Sequence, residues 1–365
     1  MPTPTWPPVR TGLIGFGYAG RTFHAPLLRT TPGLALVAVA SSQAAAVQAA
    51  LGPQVAVEPD AAALLRRDDI ELVVIATPND SHHPLALAAL RAGKSVVVDK
   101  PFALSAHQAD ELVREAEQRG QLLSVFHNRR WDGDFLTVRQ LLASGQLGRI
   151  VHAELHFDRF RAQVRERWRE STAAGGGLWI DLGPHLIDQA LQLFGPPETL
   201  YADIAAVRDG AVADDWFHAQ LRYVDGLRVT LHASALAAHA GARFVLHGTH
   251  GGYRKWGLDT QEDRLKAGQL PDPAADPDRD DDWGADPQRG ALALWRTGAP
   301  GDALEDRLLP TLNGRYPAYY RAICAALRGQ APNPVPPREA LAVMRLLDLG
   351  RRSAAERREL PVDME

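Results

Sequence analysis

Between residues 11 and 126 the chain alternates two kinds of pattern. Runs that are apolar at almost every position fall near 11–15, 34–40, 72–76, 95–98 and 122–126, and "ELVVIA" and "SVVVD" have scarcely a polar interruption. Such runs are strands buried on both faces. The stretches between them, 19–30, 43–51, 60–67, 81–92 and 105–119, read as helices. Strand and helix in strict turn predict βαβ units and a doubly wound parallel sheet. After about 126 the pattern changes. A helix is expected at 133–143, a long strand at 149–160, and an apolar helix at 178–194 behind Gly175, Gly176 and Gly177. Segments at 199–207, 215–224, 227–236 and 243–248 alternate with turns such as "VDG", which predicts antiparallel sheet. The run "PDPAADPDRDDDWGADPQ" reads as a long surface loop, and helices at 316–328 and 337–356 close the chain. The expected class is α/β: a doubly wound domain over 1–126, then an α+β domain with an open, mostly antiparallel sheet over 127–365. The closing helices are expected to pack back on the first domain.

Composition narrows the partners. A formal net charge of -4 gives no reason to expect nucleic acid or an acidic membrane surface. One cysteine, Cys324, allows no internal disulfide. "MPTPTWPPVRTG" lacks the apolar core of a signal peptide, and no apolar run nears the ~20 residues of a membrane span. A cytoplasmic protein is the expectation.

"GFGYAG" supplies Gly15, Phe16, Gly17, Tyr18, Ala19 and Gly20, a G-x-G-x-x-G that follows the first strand and opens the first helix. Gly15 permits the tight turn, Gly17 lets a pyrophosphate approach the backbone, and Gly20 lets helix and strand pack closely. The helix N-terminus offers N–H groups to phosphate. This is the dinucleotide fingerprint of a Rossmann domain in the context that supports it. After the second strand an acidic residue would bind the ribose hydroxyl of NAD. Here stand Ser41, Ser42 and Gln43. Two hydroxyls and no carboxylate favour NADP over NAD, although serines there also suit the start of the next helix.

"VVVDKPF" ends a buried strand in Lys100 and Pro101. Ligands of open α/β sheets bind at the carboxyl ends of the strands, so Lys100 is aimed at the reactive end of a cofactor. A solvated lysine at a strand end is the other reading. In "GGGLWIDLGPHLIDQALQLFG", Asp181 and His185 are four apart and share a helix face, with Asp188 near it. The residues fit acid–base chemistry on an alcohol, a satisfied core pair, or a zinc site. Against metal, the chain has no H-E-x-x-H and no C-x-x-C, and in Asp276–Asp282 Asp281 stands where a calcium loop needs glycine.

The fingerprint, "DKP" and the Asp-x-x-x-His helix, in this order, resemble the Gfo/Idh/MocA oxidoreductases, the glucose–fructose oxidoreductase and inositol dehydrogenase family. "GYAGRTFHAPLL", "VFHNRRWDGDFLT", "GGGLWIDLGPHLIDQ" and "YRKWGLDTQEDRLKAG" are similar to its NADP-dependent scyllo-inositol dehydrogenase branch. The resemblance implies catalysis by Lys100, Asp181 and His185, with Asp99 where the family motif has Glu, and a cis peptide before Pro101. It implies cofactor contacts from Thr77, Pro78, Asn79, His82, Lys100 and Pro101 besides the glycine loop, Ser41 and Ser42. It implies substrate contacts from Lys100, Asn128, Arg129, Asp158, Asp181 and His185, with Arg159 beside Asp158. No metal is implied. The implied partners are a cyclic polyol or sugar and a second copy of the chain, in a homodimer or homotetramer through the C-terminal sheet. Two rivals share the scaffold: an NAD-dependent glycosidase or eliminase without net redox, and a non-catalytic nucleotide-binding sensor.

Overall fold

The computed structural model describes residues 6–165, 170–171, 175–274, 282–295 and 303–364. The Asp-rich stretch weighed above as a calcium loop falls mostly on 275–281, outside the described residues. Two compact units emerge. The first comprises the chain up to Trp131 together with Thr260–Gly284 and Arg315–Leu341; the second comprises Asp132–Asp259, Ala285–Gly314 and Ala342–Glu365. The division therefore does not fall at 126/127 alone, and the second unit is not one continuous segment.

The first unit is built on six parallel strands: β1 (Val9–Ile14), β2 (Leu34–Ala40), β3 (Ala56–Glu58), β4 (Leu72–Ile75), β5 (Ser95–Val98) and β6 (Leu123–Val125). Their order is β3-β2-β1-β4-β5-β6, with the chain reversing direction of travel beside β1. That is the Rossmann order, in which ligands bind at the reversal point. Between the strands run α1 (Ala25–Thr30), α2 (Ala44–Leu51), α3 (Ala61–Leu65), α4 (His82–Arg91) and α5 (Ala106–Arg119). In α5 the buried residues are Ala109, Leu112, Val113 and Ala116, one helical stripe. Ser105 caps its start by accepting from the Gln108 N–H, and Gly120 ends it at φ 62°. Both are residue types that those positions favour. Strand β3 went unread in the sequence because it is three half-buried residues at the sheet edge.

The second unit begins with α6 (Gly133–Ala143), β7 (Ile150–His156) and α7 (Leu178–Phe194). Strands β8 (Thr199–Ala205), β9 (Trp216–Arg222), β10 (Arg228–Ser234), β11 (Phe244–Gly248) and β12 (Gly251–Lys255) follow. Helix α8 (Gln261–Lys266) returns to the first unit. Then come β13 (Gly290–Trp295), β14 (Leu304–Leu309), α9 (Tyr316–Leu327), α10 (Pro337–Glu356) and β15 (Leu360–Pro361). The nine strands order as β14-β13-β12-β11-β7-β10-β9-β8-β15. All neighbours are antiparallel except β7 and β10, so the sheet is mixed and mostly antiparallel. Helix α7 covers one face. Trp179 meets Phe217 edge-on at 5.0 Å, and the Trp179 Nε1–H donates to the Leu347 carbonyl at 3.0 Å. A Cβ on Gly350 would lie 2.3 Å from the Trp179 ring, so the indole requires a bare backbone in α10. Of the closing helices, α9 and the first turn of α10 belong to the first unit and the rest of α10 to the second. Among the described residues no helix is long and apolar enough to cross a membrane.

Candidate active site

Parallel strands bring every strand-to-helix loop of one direction to one edge. The carboxyl ends of β1, β2, β4, β5 and β6 thus lead into Gly15–Gly20, Ser41–Ser42, Thr77–Asn79, Asp99–Pro101 and Asn128–Arg129. The three fingerprint glycines are not equivalent. Gly15 has φ 96°, and a Cβ there would come within 2.5 Å of the Ala76 carbonyl oxygen. A Cβ on Gly20 would meet the Gly15 carbonyl oxygen at 2.2 Å. Around Gly17 a Cβ would meet nothing within 4 Å. Two glycines are thus demanded by the loop's own packing and the third leaves an open side. The Arg21 N–H donates to the Gly17 carbonyl at 3.0 Å, so the amides just before it lie in a first helical turn, which lacks carbonyls four residues back. An open, bare backbone beside such a turn fits a dinucleotide pyrophosphate.

At the end of β2 the Gln43 N–H donates to the Ser41 Oγ at 3.0 Å, closing a turn, while Ser42 is exposed. The carboxylate nearest in register is Glu58, paired with Arg67 at 3.0 Å. At the end of β4, Ser81 donates to the Thr77 Oγ1 at 2.7 Å and Asn79 is buried. His82, expected among the cofactor contacts, lies under these loops. It is 1% exposed, with Nδ1 2.8 Å from the Pro101 carbonyl and Nε2 3.0 Å from the Thr77 carbonyl. Its ring sits beneath the two loops and sets their spacing. Burial pushes its pKa down, against the opposing pull of Asp99.

The Lys100–Pro101 peptide is cis. Lys100 is half-buried, and its N–H donates to the Asp99 Oδ1 at 2.7 Å. Burial would raise the Asp99 pKa, but His24, Lys100 and His82 together hold the carboxyl below its ordinary value. The sequence reading missed His24, because nothing in "TFHAP" announces a partner 75 positions away.

Asn128 and Arg129 are both buried. The Arg129 guanidinium is committed within the first unit, where it pairs with Glu262 at 2.9 Å. Glu262 also accepts from the Tyr18 hydroxyl at 3.0 Å and pairs with Lys266 at 2.9 Å. Burial would raise the Glu262 pKa, but Arg129 and Lys266 bring it down to about 2. Arg129 therefore serves a brace between α8 and the glycine loop, besides the substrate contact that the sequence suggests for it. Glu262 was invisible in the sequence because its partners lie in distant segments.

In the second unit α7 carries Asp181, His185 and Asp188 on one face; His185 and Asp188 are buried and Asp181 is half-buried. A cavity of about 30 Å³, water-sized, is lined by Asp181, Arg159, Arg208 and Asp214 among others. Asp158 is elsewhere. Along β7, Leu155 and the residue after it in the same parity, Phe157, are buried toward α7, and His156 and Asp158 point to the opposite face. There Asp158 lies 3.5 Å from His156 Nδ1 and 3.5 Å from His232 Nε2. The structure keeps Arg159 with Asp181 and sends Asp158 away, because adjacent strand residues face opposite ways. Among the described residues no group of three or more His, Cys, Asp or Glu is placed to hold a metal ion.

Comparison with known proteins bears on the same segments. Residues 9–127 match the oxidoreductase family with an NAD-binding Rossmann fold, and residues 135–254 match the GFO/IDH/MocA C-terminal domain. The uncharacterized oxidoreductase YdgJ of Escherichia coli is 50% identical over 353 residues, 96% of this chain and 98% of the relative. The scyllo-inositol 2-dehydrogenase (NADP(+)) IolW of Bacillus subtilis is 35% identical, covering 97% and 96%. A crystal structure of an oxidoreductase from Bacillus cereus is 30% identical, with a TM-score of 0.86 over 97% of this chain and 99% of that one. Two matched domains and full-length relatives at these identities show that the chain belongs to the Gfo/Idh/MocA oxidoreductase family and carries its NAD-binding Rossmann domain.

Proposed function

We propose that the chain transfers a hydride between NADP, in preference to NAD, and a secondary alcohol or ketone of a cyclic polyol or sugar. One observation carries this reading: Lys100 stands at the carboxyl end of β5, on the same sheet edge as the open side of Gly17. The glycine loop would hold the pyrophosphate, with Thr77, Asn79 and Pro101 along the same edge. The nicotinamide, when bound, supplies the hydride chemistry. Lys100 donates a hydrogen bond to the reacting oxygen and stabilises its developing negative charge. His185 takes or returns the hydroxyl proton, and Asp181 orients it or a neighbouring hydroxyl. Ser41, Ser42 and a Glu58 already neutralised by Arg67 leave nothing to repel a 2′-phosphate. The NADP-dependent relative in Bacillus subtilis supports the same choice. A second copy of the chain on the outer face of the nine-stranded sheet belongs to the same proposal. Trp256, Trp295, Leu304 and Leu308 are exposed there around small Gly252, Ala291 and Ala293, an apolar patch of the kind that marks an interface.

The test is a panel of inositols and aldoses with NADP and NAD, followed at the reduced-nicotinamide band, for wild type and Lys100→Met. Net reduction of NADP by a polyol, falling by about 10²–10⁴ in kcat in the variant with NADP affinity kept, is the expected result. Substrate loss without net reduction would instead indicate the eliminase, and equal loss of kcat and NADP binding would make Lys100 a cofactor anchor.

A further inference from the structure

We propose that His24 is a positioning residue for Lys100: it holds the Asp99 carboxylate against the Lys100 main chain and thereby sets the path of the lysine side chain. This rests on the reading that Lys100 meets the substrate oxygen. His24 is fully buried and emerges from a wide helical turn, Gly20–His24, that begins at the last fingerprint glycine. Such turns recur at functional sites. Its Nδ1 lies 2.6 Å from the Tyr320 hydroxyl, and its Nε2 faces the Asp99 Oδ2 at 3.7 Å. A carboxylate only accepts, so a hydrogen at Nε2 is the group that complements it from this side. Phe126 packs on the imidazole at 4.5 Å between centroids and fixes its plane. The far oxygen of Asp99 accepts the Lys100 N–H at 2.7 Å, while the Asp99 N–H continues the β4 ladder by donating to the Ile75 carbonyl at 2.9 Å. The carboxylate thus accepts a hydrogen bond from the amide whose residue must be aimed, and on its other side faces the buried imidazole at ion-pair distance, too far for a hydrogen bond in the resting geometry.

The groups facing Asp99 are His24 from the glycine-loop helix, His82 from α4, Lys100 from its own loop, and Tyr319 and Tyr320 from α9. Burial favours the neutral acid, and His24 heads the groups that oppose it. Remove the imidazole and burial dominates: the carboxyl rises toward neutrality and, once protonated, accepts less well from the Lys100 amide. The same chain of contacts ties the turn beginning at Gly20 to the Lys100 loop.

Two readouts test this in the full-length protein. The carboxyl ¹³C resonance of Asp99, assigned with Asp99→Asn, is titrated in wild type, His24→Phe and His24→Gln without any turnover. Activity with scyllo-inositol and NADP is then measured from pH 5.5 to 9. The expected result is an Asp99 titration moved upward in His24→Phe, with kcat at pH 6 down about tenfold beyond any loss at pH 8.5. His24→Gln, which can offer an N–H to Asp99, restores both in part. An unchanged Asp99 titration and a uniform loss across pH would overturn the proposal and leave His24 as core packing. Should His24→Phe fail to fold, the Gln variant and Tyr320→Phe carry the same comparison. A moved titration in a protein that turns over no polyol would sink the substrate reading and leave the His24–Asp99 coupling standing.

Discussion

In the six-stranded sheet Leu72–Ile75 and Ser95–Val98 are buried at all four positions, whereas in the nine-stranded sheet Trp216–Arg222 is buried only at alternate ones. A strand buried on both faces has no surface on which to display a reactive group. Its chemistry must lie past its end, and Gly15, Thr77, Lys100 and Asn128 all do. A strand covered on one face displays side chains along its length. On the far face here it shows His156, His218 and His232, while Asp181, His185 and Asp188 come from the helix that covers the near face. The first site is thus positioned by backbone and topology, and the second by side-chain packing of α7. Substitutions should separate them: backbone-level changes should be severe in the first, and side-chain capping changes modest in the second.

The largest effect is expected at the glycines. In Gly15→Ala the new methyl collides with the Ala76 carbonyl at 2.5 Å on a backbone of φ 96°. The variant should lose well over ~1 kcal/mol of stability, because both the clash and the left-handed backbone oppose it. Gly17→Ala meets nothing within 4 Å. It should melt like wild type yet bind NADP at least about tenfold more weakly, a loss of about 1.4 kcal/mol. Calorimetric melting and NADP titration of the two variants side by side decide the matter. Equal melting losses would mean that the loop, and not a ligand, requires the middle glycine.

Next in size is the brace at Glu262. Its carboxyl, ordinarily near 4.5, sits at about 2 because Arg129 and Lys266 outweigh the opposing effect of burial. A depressed folded pKa contributes stability that is full above the unfolded value and is lost as pH falls through the folded one. Glu262→Gln should therefore lower stability at pH 7 by at most about 3 kcal/mol, and the gap should close between pH 4.5 and 2. Gln keeps an acceptor for Tyr18, so urea midpoints against pH isolate the ion pair from the hydrogen bond. A gap that is flat with pH would contradict the pairing.

The pattern of hits and misses follows the same contrast. The first sheet was legible because burial on both faces writes unbroken apolar runs. The fingerprint was legible because only glycine satisfies the geometry at Gly15 and Gly20. Strands β12 to β14 were not. Glycines open β12 and β13, and in β14 Leu304–Leu308 are all exposed; only β13 carries an apolar run, and it is short and follows the Asp-rich segment. That Asp158 and Arg159 fall on opposite faces was not legible, because which parity of a strand faces the core is left open by a single sequence where both carry charge. The Arg129–Glu262 pair was not legible because the two residues stand 133 positions apart. Sequence pattern reports burial and backbone demands; it does not report which distant charge neutralises which.

The smallest effect tests the side-chain-held site. Gly177, at the start of α7, has no side chain to cap the helix, and a distant residue does so instead. The Leu178 N–H donates to the Asp214 carbonyl at 2.7 Å and the Trp179 N–H to its Oδ2 at 2.6 Å. A Cβ on Gly177 would lie 2.0 Å from the Asp214 Oδ1, so the glycine is what admits the cap. Burial nonetheless raises the Asp214 pKa, which means that the anion is disfavoured in the folded chain despite its helix-start position. Asp214→Ala should cost about 1 kcal/mol by removing the acceptor. Asp214→Asn keeps an acceptor and removes the buried charge, so it should match or exceed wild type at neutral pH. The sign follows from the raised pKa: wild type loses stability as pH climbs from the unfolded value of 3.8 through the folded one, and below that range the two proteins converge. Urea midpoints at pH 4 and pH 7.5 measure both arms. If Asn proved as costly as Ala at both, the charge itself would be holding α7, and the second site would be fixed by electrostatics in place of packing.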